Sequence, residues 1–330
     1  MPASGMVCTV GNAAPRLRVE RAQMSRPATD PGALDVGGRR LAIRNLDRVL
    51  YPRAGTTKAE LLEYYVRVAD AMLPHLRHRL LHMHRYPEGV EGPRFWQKEC
   101  PDHRPEWLPT AAVPSPAKGR PIRYCVANEL AAVVWAANIG SLELHTSLHR
   151  VDAPDRPTAV AFDLDPGASA GLLECCAVAL RLRDLLAGVR LRCWPKTSGG
   201  KGLQVYVPLN GGAASYDDTK AFARTVAEML EAETPGRVVS RMARSLRAGK
   251  VLVDWSQNTP HKSTVCAYSV RARERPTVST PVRWDEVEAA LGAGDAGALR
   301  FEMGDVLERV AAHGDLFAPV LAERQALRAA

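Results

Sequence analysis

One run of this sequence restricts the fold more than any other: Ala159-Val-Ala-Phe-Asp-Leu-Asp-Pro-Gly167, which alternates like a half-buried strand. Side chains at i and i+2 of a strand point to the same face. Asp163 and Asp165 therefore project together, with Val160, Phe162 and Leu164 on the opposite face. Two adjacent carboxylates do not both ionise cheaply unless something neutralises them. The usual partner of an all-oxygen set is a hard divalent ion, Mg²⁺ or Mn²⁺. Asp254 ends a second apolar run, Val251-Leu252-Val253. On a neighbouring strand it would complete a site able to hold two metals.

The surrounding pattern is α+β. From residue 158 the rhythm predicts strand 159–165, helix 171–187, strand 189–194, a Gly-rich turn, strand 203–209, helix 216–233 and strand 251–254. Helices follow near 284–291 and 302–313. Upstream, Thr57-Lys-Ala-Glu60 has capping-box spacing, and Leu61, Leu62, Tyr65, Val68, Ala69 and Met72 form an apolar stripe. Pro74 is expected to end that helix. Residues 80–100 read as strand and loop. Asn128 reads as the cap of a buried helix, Glu129 to Asn138, which Gly140 terminates, and residues 142–145 as a strand. Residues 1–38 are rich in Pro, Ala, Gly and Arg without periodicity and are expected to form a flexible tail, with Met24 an alternative start. Order is expected from about Arg40, with residues 39–330 forming one domain.

Several function classes drop out. No apolar run approaches the ~18 residues that span a bilayer, and no signal-peptide core is present. A soluble, cytoplasmic protein without membrane contact is expected. The seven cysteines show no CxxC pair, and Cys100-Pro-Asp-His103 has no second ligand pair. Neither a disulfide framework nor a zinc site is expected; the cysteines read as buried or incidental thiols. The net charge of +8 suits a polyanion such as nucleic acid, although a GC-rich genome favouring arginine codons accounts for it equally.

The turn Ser198-Gly-Gly-Lys201-Gly202 offers unhindered N–H groups, a hydroxyl and an ammonium, a set that suits phosphate. It is not a P-loop, because GxxxxGK[ST] is absent and a strand follows. Alone it reads equally as a hairpin turn; beside a carboxylate pair, metal plus phosphate accounts for both. Arg247 and Lys250, just before the Asp254 strand, offer cations for β- and γ-phosphates. Arg271 is a further candidate, whereas Arg273 reads as a surface charge. His145 is either a nucleotide ligand or a satisfied core histidine. Phe95-Trp96, beside Arg94 and Lys98, either stack a base or divide into one core and one surface residue.

Together these motifs resemble the polymerase domain of bacterial ATP-dependent DNA ligase D, a branch of the archaeo-eukaryotic primase superfamily. The matching stretches run in order: NLDRVLYP (45–52), TTKAELLEYY (56–65), HRYPEGVEG (84–92), FWQKECP (95–101), LELHTS (142–147), FDLDPG (162–167), KTSGGKGLQVYVPL (196–209), SLRAGKVLVDWSQN (245–258) and AYSVRARERPTVSTPVRWDE (267–286). The resemblance implies a mixed α/β, archaeo-eukaryotic primase-like catalytic core with central β-sheets flanked by helices. It implies a template-dependent nucleotidyltransferase that fills gaps and extends DNA ends in non-homologous end joining, taking NTPs or dNTPs with a preference for ribonucleotides. Two Mn²⁺ or Mg²⁺ ions would sit on Asp163, Asp165 and Asp254. By the same resemblance His145, Ser198, Lys201, Gly202, Arg247, Gln257 and Arg271 contact the incoming nucleotide, and Phe95 or Trp96 stacks on its base. Asn45, Arg48 and Lys58 grip the 5′-phosphate across a gap, and Arg85 contacts nucleic acid or nucleotide.

The chain departs from the family pattern at four places. Gln204 stands where the family has a histidine, within the nucleotide-binding set, and carries no charge. His84 stands where lysine is common. Arg48 replaces a lysine but keeps the charge and can bind phosphate bidentately. Ala267 replaces a proline. The chain has no KxDG ligase nucleophile and reads as a stand-alone, monomeric, nucleoid-associated module, with Ku and a separate DNA ligase as family-based partners. Two other readings remain open at this level: a non-catalytic DNA-end-binding module, and a metal-dependent phosphohydrolase.

Overall fold

Alternation in sequence becomes pairing between sheets in the structure, a computed structural model that describes residues 32–115 and 118–327. The first elements are β1 (Gly32–Val36) and β2 (Arg39–Ile43), an antiparallel hairpin. This hairpin starts ahead of the expected beginning of order near Arg40 and so takes in residues 32–38 of the expected 1–38 tail; residues 1–31 of that tail lie outside the described residues. β3 (Val49–Tyr51) and β4 (Thr56–Thr57) lead into α1 (Lys58–Arg67). The capping box forms: Glu60 N donates to Thr57 Oγ1 at 3.3 Å, and Thr57 N donates to Glu60 Oε2 at 2.7 Å. All six residues of the predicted stripe are buried. The helix breaks at Val68, however, and α2 (Ala69–Leu76) carries Pro74 inside it. The carbonyl that Pro74 leaves without its helical donor belongs to Asp70, the exposed residue of the first turn of α2, where solvent can reach it, and the helix runs on.

β5 (Leu81–Arg85), β6 (Phe95–Gln97), β7 (Thr110–Val113), β8 (Ile122–Cys125), α3 (Leu130–Asn138) and β9 (Ser141–Thr146) follow. Asn128 does not cap α3; its Oδ1 accepts from His78 N at 2.7 Å, and Glu129 takes the cap position without a side-chain bond. Gly140 ends this helix with a φ of 91°. Cys100 and Cys125 form a disulfide, which corrects the reading of all cysteines as thiols. The partners meet because Cys100 N bonds to Arg123 O on β8, a pairing that sequence spacing does not encode. Cys175, Cys176, Cys193 and Cys266 are free and buried.

The second half adds β10 (His149–Arg150), β11 (Ala153–Pro157), β12 (Ala159–Pro166), α4 (Leu172–Gly188), β13 (Trp194–Thr197), β14 (Leu203–Pro208) and α5 (Tyr216–Glu233). β15 (Val238–Val239), β16 (Val251–Asp254), β17 (Thr264–Val265), α6 (Trp284–Ala293), α7 (Met303–His313) and α8 (Ala318–Ala322) complete it. The strand expected at 189–194 starts only at Trp194. Arg190 turns the chain with a φ of 63°, and side chains satisfy the backbone that follows: Gln325 takes Arg192 N, and Trp284 donates to Cys193 O.

Two sheets result. One runs β13-β14-β12-β16-β15, and the other runs β17-β9-β5-β8-β7 with β6 on the side of β5. Val160, Phe162 and Leu164, with Leu203, Val205 and Val207, bury one face of the first sheet against α4 and α5. Burial of each such side chain contributes roughly 1.5–3 kcal/mol. Ala159, Ala161 and Tyr206 on the opposite face belong to the core shared with α1, α2, α3 and the second sheet. Asp163 and Asp165 continue this inner face past the end of that core.

Candidate active site

Four strands put a polar row across the first sheet. Lys196 on β13 pairs with Gln204 on β14, Gln204 with Asp163 on β12, and Asp163 with Asp254 on β16. Lys196 is fully buried, and its Nζ donates to Gln204 Oε1 at 2.6 Å and to Ser279 Oγ at 2.7 Å. Burial pushes its pKa down to about 7. With Oε1 engaged by Lys196, the Gln204 amide turns its N–H toward Asp163. Burial, then the charge of Asp165, pushes the Asp163 carboxyl up to about 7, despite the Gln204 hydrogen bond. Asp165 is raised by burial and by the charge of Asp254.

Asp254 is placed differently from its two neighbours. Its Oδ1 accepts from Ser256 N at 2.9 Å and from the Ser256 hydroxyl, and its Oδ2 accepts from Gln257 Nε2 at 2.9 Å. The carboxylate thus caps the turn that follows β16. Among the described residues no group of three or more His, Cys, Asp or Glu side chains is drawn together tightly enough to enclose a metal ion. Asp163 and Asp165 nevertheless fit one: they are an all-oxygen pair whose carboxyls are raised by burial and by neighbouring carboxylate charge, both of which a bound cation would offset.

The row opens into a cavity of about 410 Å³ between the two sheets. Asp163, Asp165, Gln204 and Gln257 line its carboxylate side. Ser198, Lys201, Arg247, Arg271 and Arg273 line its cationic side, while His145 and Trp96 come from the second sheet. Arg273, read from sequence as a surface charge, is therefore part of this wall. The Gly-rich turn is tied closed by a bond from Ser198 N to Gly202 O at 2.9 Å. Gly202 is required sterically, since a Cβ there would lie 2.1 Å from Leu164 O on β12. The turn thus rests directly on the strand that carries the aspartates. Arg271 donates to Ser198 O, and Thr277 Oγ1 donates to Gly199 O at 2.5 Å. Arg247 donates through Nη2 to Met242 O at 2.5 Å, and its buried Nε has no partner among the described residues.

A residue absent from the sequence-derived set organises the far wall. Glu143 on β9 is 4 % exposed. Its Oε2 accepts from His145 Nε2 at 3.0 Å and lies 3.5 Å from His84 Nδ1. Its Oε1 accepts from Ala272 N at 3.0 Å. Arg271 Nε stands 3.1 Å from the same oxygen, close enough for an ion pair though not aligned for a hydrogen bond. Burial alone would raise the Glu143 carboxyl, but the two histidines and Arg271 hold it well below the usual carboxylate range. His145 is displaced downward to about 4 by burial, so it is the neutral, satisfied partner of Glu143 and also a cavity wall. The available sequence signal was the position of Glu143 within LELH, two residues before His145 on the same strand face.

Phe95 and Trp96 are both exposed, at 45 % and 54 %, so neither is a core residue. Neighbouring strand positions face opposite ways. Trp96 enters the cavity, stacked on His84 with ring centres 4.3 Å apart and planes 7° apart. Phe95 sits beneath Arg85, whose guanidinium is held by Ile139 O and Gln97 Oε1. Phe95 and Arg85 do not line the aspartate cavity, and neither does Gly202. Asn45, Arg48 and Lys58 gather separately around a cavity of about 250 Å³ with Arg44 and Asn138. Lys58 Nζ donates to Arg44 O at 2.9 Å, and Arg48 donates to Pro87 O at 2.6 Å. Burial and the charge of Arg48 lower Lys58 to about 8.

This architecture is that of a mixed α/β, archaeo-eukaryotic primase-like protein, and the chain belongs to the family described as LigD, primase-polymerase domain, which it matches over residues 57–317. Among its relatives is the multifunctional non-homologous end joining protein LigD of Mycolicibacterium smegmatis, 38% identical over 286 residues, or 86% of this chain and 36% of that protein. The bifunctional non-homologous end joining protein LigD of Bacillus subtilis is 29% identical over 275 residues, 83% of this chain and 43% of the relative. The solved polymerase domain from Mycobacterium tuberculosis ligase D in complex with DNA superposes with a TM-score of 0.79 at 36% identity, covering 87% of this chain and 99% of that one. The chain spans well under half the length of the curated relatives it matches, 36% for the Mycolicibacterium protein. Among the described residues no helix is long and apolar enough to cross a membrane.

Proposed function

We propose that this protein is a template-dependent nucleotidyltransferase, a primase-polymerase that adds nucleotides, ribonucleotides by preference, at gaps and DNA ends during non-homologous end joining. Residues 39–330 would work as one polymerase unit. The observation that carries this reading is the convergence, in one cavity, of Asp163 and Asp165 with Ser198, Lys201, Arg247 and Arg271 and an exposed Trp96. Paired carboxylates facing a phosphate-sized set of cations and an aromatic plate suit a nucleoside triphosphate; a phosphohydrolase would need no base platform.

Asp163, Asp165 and Asp254 would hold Mn²⁺ or Mg²⁺. Bound there, the ions would lower the pKa of a primer 3′-hydroxyl and neutralise the departing pyrophosphate. Lys201 and the Ser198 hydroxyl meet the triphosphate from the Gly-rich turn, and Arg247 and Arg271 meet it from the sides. Gln204 presents its amide N–H beside Asp163, giving phosphate a neutral donor worth ~0.5–1.5 kcal/mol, where a charged one is worth ~1.5–3. Trp96 offers its open face to the base. The cavity around Asn45, Arg48 and Lys58 takes the 5′-phosphate across the gap. Ku, a separate ligase, a monomeric state and nucleoid association belong to the same proposal.

One observation favours the second reading, a non-catalytic DNA-end-binding module: the Asp254 carboxylate is engaged by its own turn. A single assay separates the two. The protein is incubated with Mn²⁺, a 5′-phosphorylated gapped duplex and labelled ribonucleotides. Extension that disappears in Asp163→Ala supports the polymerase. Tight DNA binding without extension overturns it in favour of the end-binding module.

A further inference from the structure

On the other side of the Gly-rich turn lies a second cavity of about 410 Å³, which shares Lys201 and Arg273 with the first. Its charges do not cancel locally. Of its acids, Glu302 is paired with Arg275 and Glu274 with Arg53. Asp305 accepts from Glu302 N at 2.8 Å as part of the α7 cap. Lys201, Arg273 and Arg300 have no side-chain partner among the described residues. The floor is apolar, formed by Leu172, Leu299 and Phe301. The Arg309 guanidinium lies over the Phe301 ring at 4.5 Å, which fixes that floor from behind. Arg273 is held against the turn because residue 200 is glycine; a Cβ there would meet Arg273 Nη2 at 2.8 Å.

We propose that this second cavity binds one nucleotide unit of a nucleic-acid strand, its phosphates on Lys201, Arg273 and Arg300 and its base over the apolar floor. Unpaired cations around an apolar recess match the two halves of a nucleotide: phosphate contacts provide affinity and the apolar floor, with Phe301 as its aromatic member, takes the base. A free polyphosphate has no use for the floor, and a purely apolar ligand has no use for the cations. Because Lys201 and Arg273 face both cavities, a strand held here runs over the Gly-rich turn toward the aspartates. The inference rests on the polymerase reading and adds to it Arg300 and the apolar floor, which lie outside the aspartate cavity.

The test uses Arg300→Gln, since Arg300 lines only the second cavity. Binding of a fluorescein-labelled single-stranded oligonucleotide is titrated across a salt series for the parent protein and the variant. The expected result is an affinity about tenfold weaker and a log–log salt slope shallower by about 0.7, the increment for one phosphate contact on a single strand, with the KM for free nucleotide unchanged. Unchanged affinity and slope overturn the proposal. Unchanged strand affinity with weaker inhibition by inorganic pyrophosphate also overturns it, in favour of a small polyphosphate. If the polymerase reading itself fails, the parent protein extends no primer; if only this inference fails, parent and variant extend and bind alike.

Discussion

Replacing Glu143 by glutamine tests how the far wall of the cavity is held. The substitution keeps the shape and removes one charge. In the parent protein that charge sits against Arg271 at 3.1 Å, with the Arg271 side chain 13% exposed and that of Glu143 5% exposed. Removing one partner of a buried ion pair costs ~3–5 kcal/mol, because the other charge stays buried without compensation. Arg271 borders the open cavity and keeps its bond to Ser198 O, which places the cost at the low end, about 3 kcal/mol. For a chain of this size each kcal/mol moves the melting temperature by roughly 1–2 °C, so a fall on the order of 3–6 °C is expected by scanning fluorimetry. Function should suffer too. Glu143 orients His145 and Arg271 and touches His84, the ring on which Trp96 stacks. The KM for nucleotide should rise about tenfold with a smaller change in kcat, and the Trp96 fluorescence change on nucleotide addition should weaken. Glu143→Asp, which keeps the charge but shortens the reach, should recover part of the stability. A Glu143→Gln protein that melts with the parent and binds nucleotide equally would refute the argument that this carboxylate organises the wall.

Three further outcomes follow from the same geometry. Burial raises Asp163 from 3.8 to about 7, so its contribution to stability is full below the unfolded value and is lost as pH rises through about 7; Lys196, lowered from 10.5 to about 7, acts in the opposite sense. The melting-temperature gain from Mn²⁺ should therefore grow between about pH 5.5 and about pH 7.5, as the ion has to displace the Asp163 proton, and Asp163→Asn should remove that gain while stabilising the metal-free protein at neutral pH. Gln204→His should strengthen triphosphate binding by about 1 kcal/mol, roughly fivefold in KM, where the imidazole is protonated; an unchanged KM would show that the Lys196–Gln204 arrangement already supplies an adequate donor. Lys58→Met should cut the advantage of a 5′-phosphorylated gap over an unphosphorylated one about tenfold and leave activity on the unphosphorylated substrate intact, as measured by parallel extension assays.

Much of the first sheet was legible in the sequence. A period-two pattern with one acidic face has a single consistent placement, so Val160, Phe162 and Leu164 facing one core, with Asp163 and Asp165 facing away from it, could be read directly. The α1 capping box and the 216–233 helix came from local rules that depend on neighbours three and four residues away. Pro74 failed to end its helix for a local reason, the exposure of Asp70; the other failures had non-local causes. Asn128 was drawn off its helix by His78, Cys100 met Cys125 through strand pairing, and residues 191–193 were satisfied by Gln325 and Trp284 instead of a sheet.

The sequence by itself determined the chemistry on offer: a carboxylate pair, a phosphate-sized turn, cations and an aromatic pair, in the order of one family. Only the tertiary structure decided which of these meet. It sent Trp96 into the cavity and Phe95 with Arg85 away from it, since adjacent strand residues face opposite sides. It turned the Asp254 carboxylate onto Ser256 and Gln257, fastened Gln204 to Lys196, and drew Glu143 against Arg271 across 128 positions of sequence. Residue type and spacing set what a side chain is able to do; which partner it faces depends on how the sheets pack, and that information is spread over the whole chain.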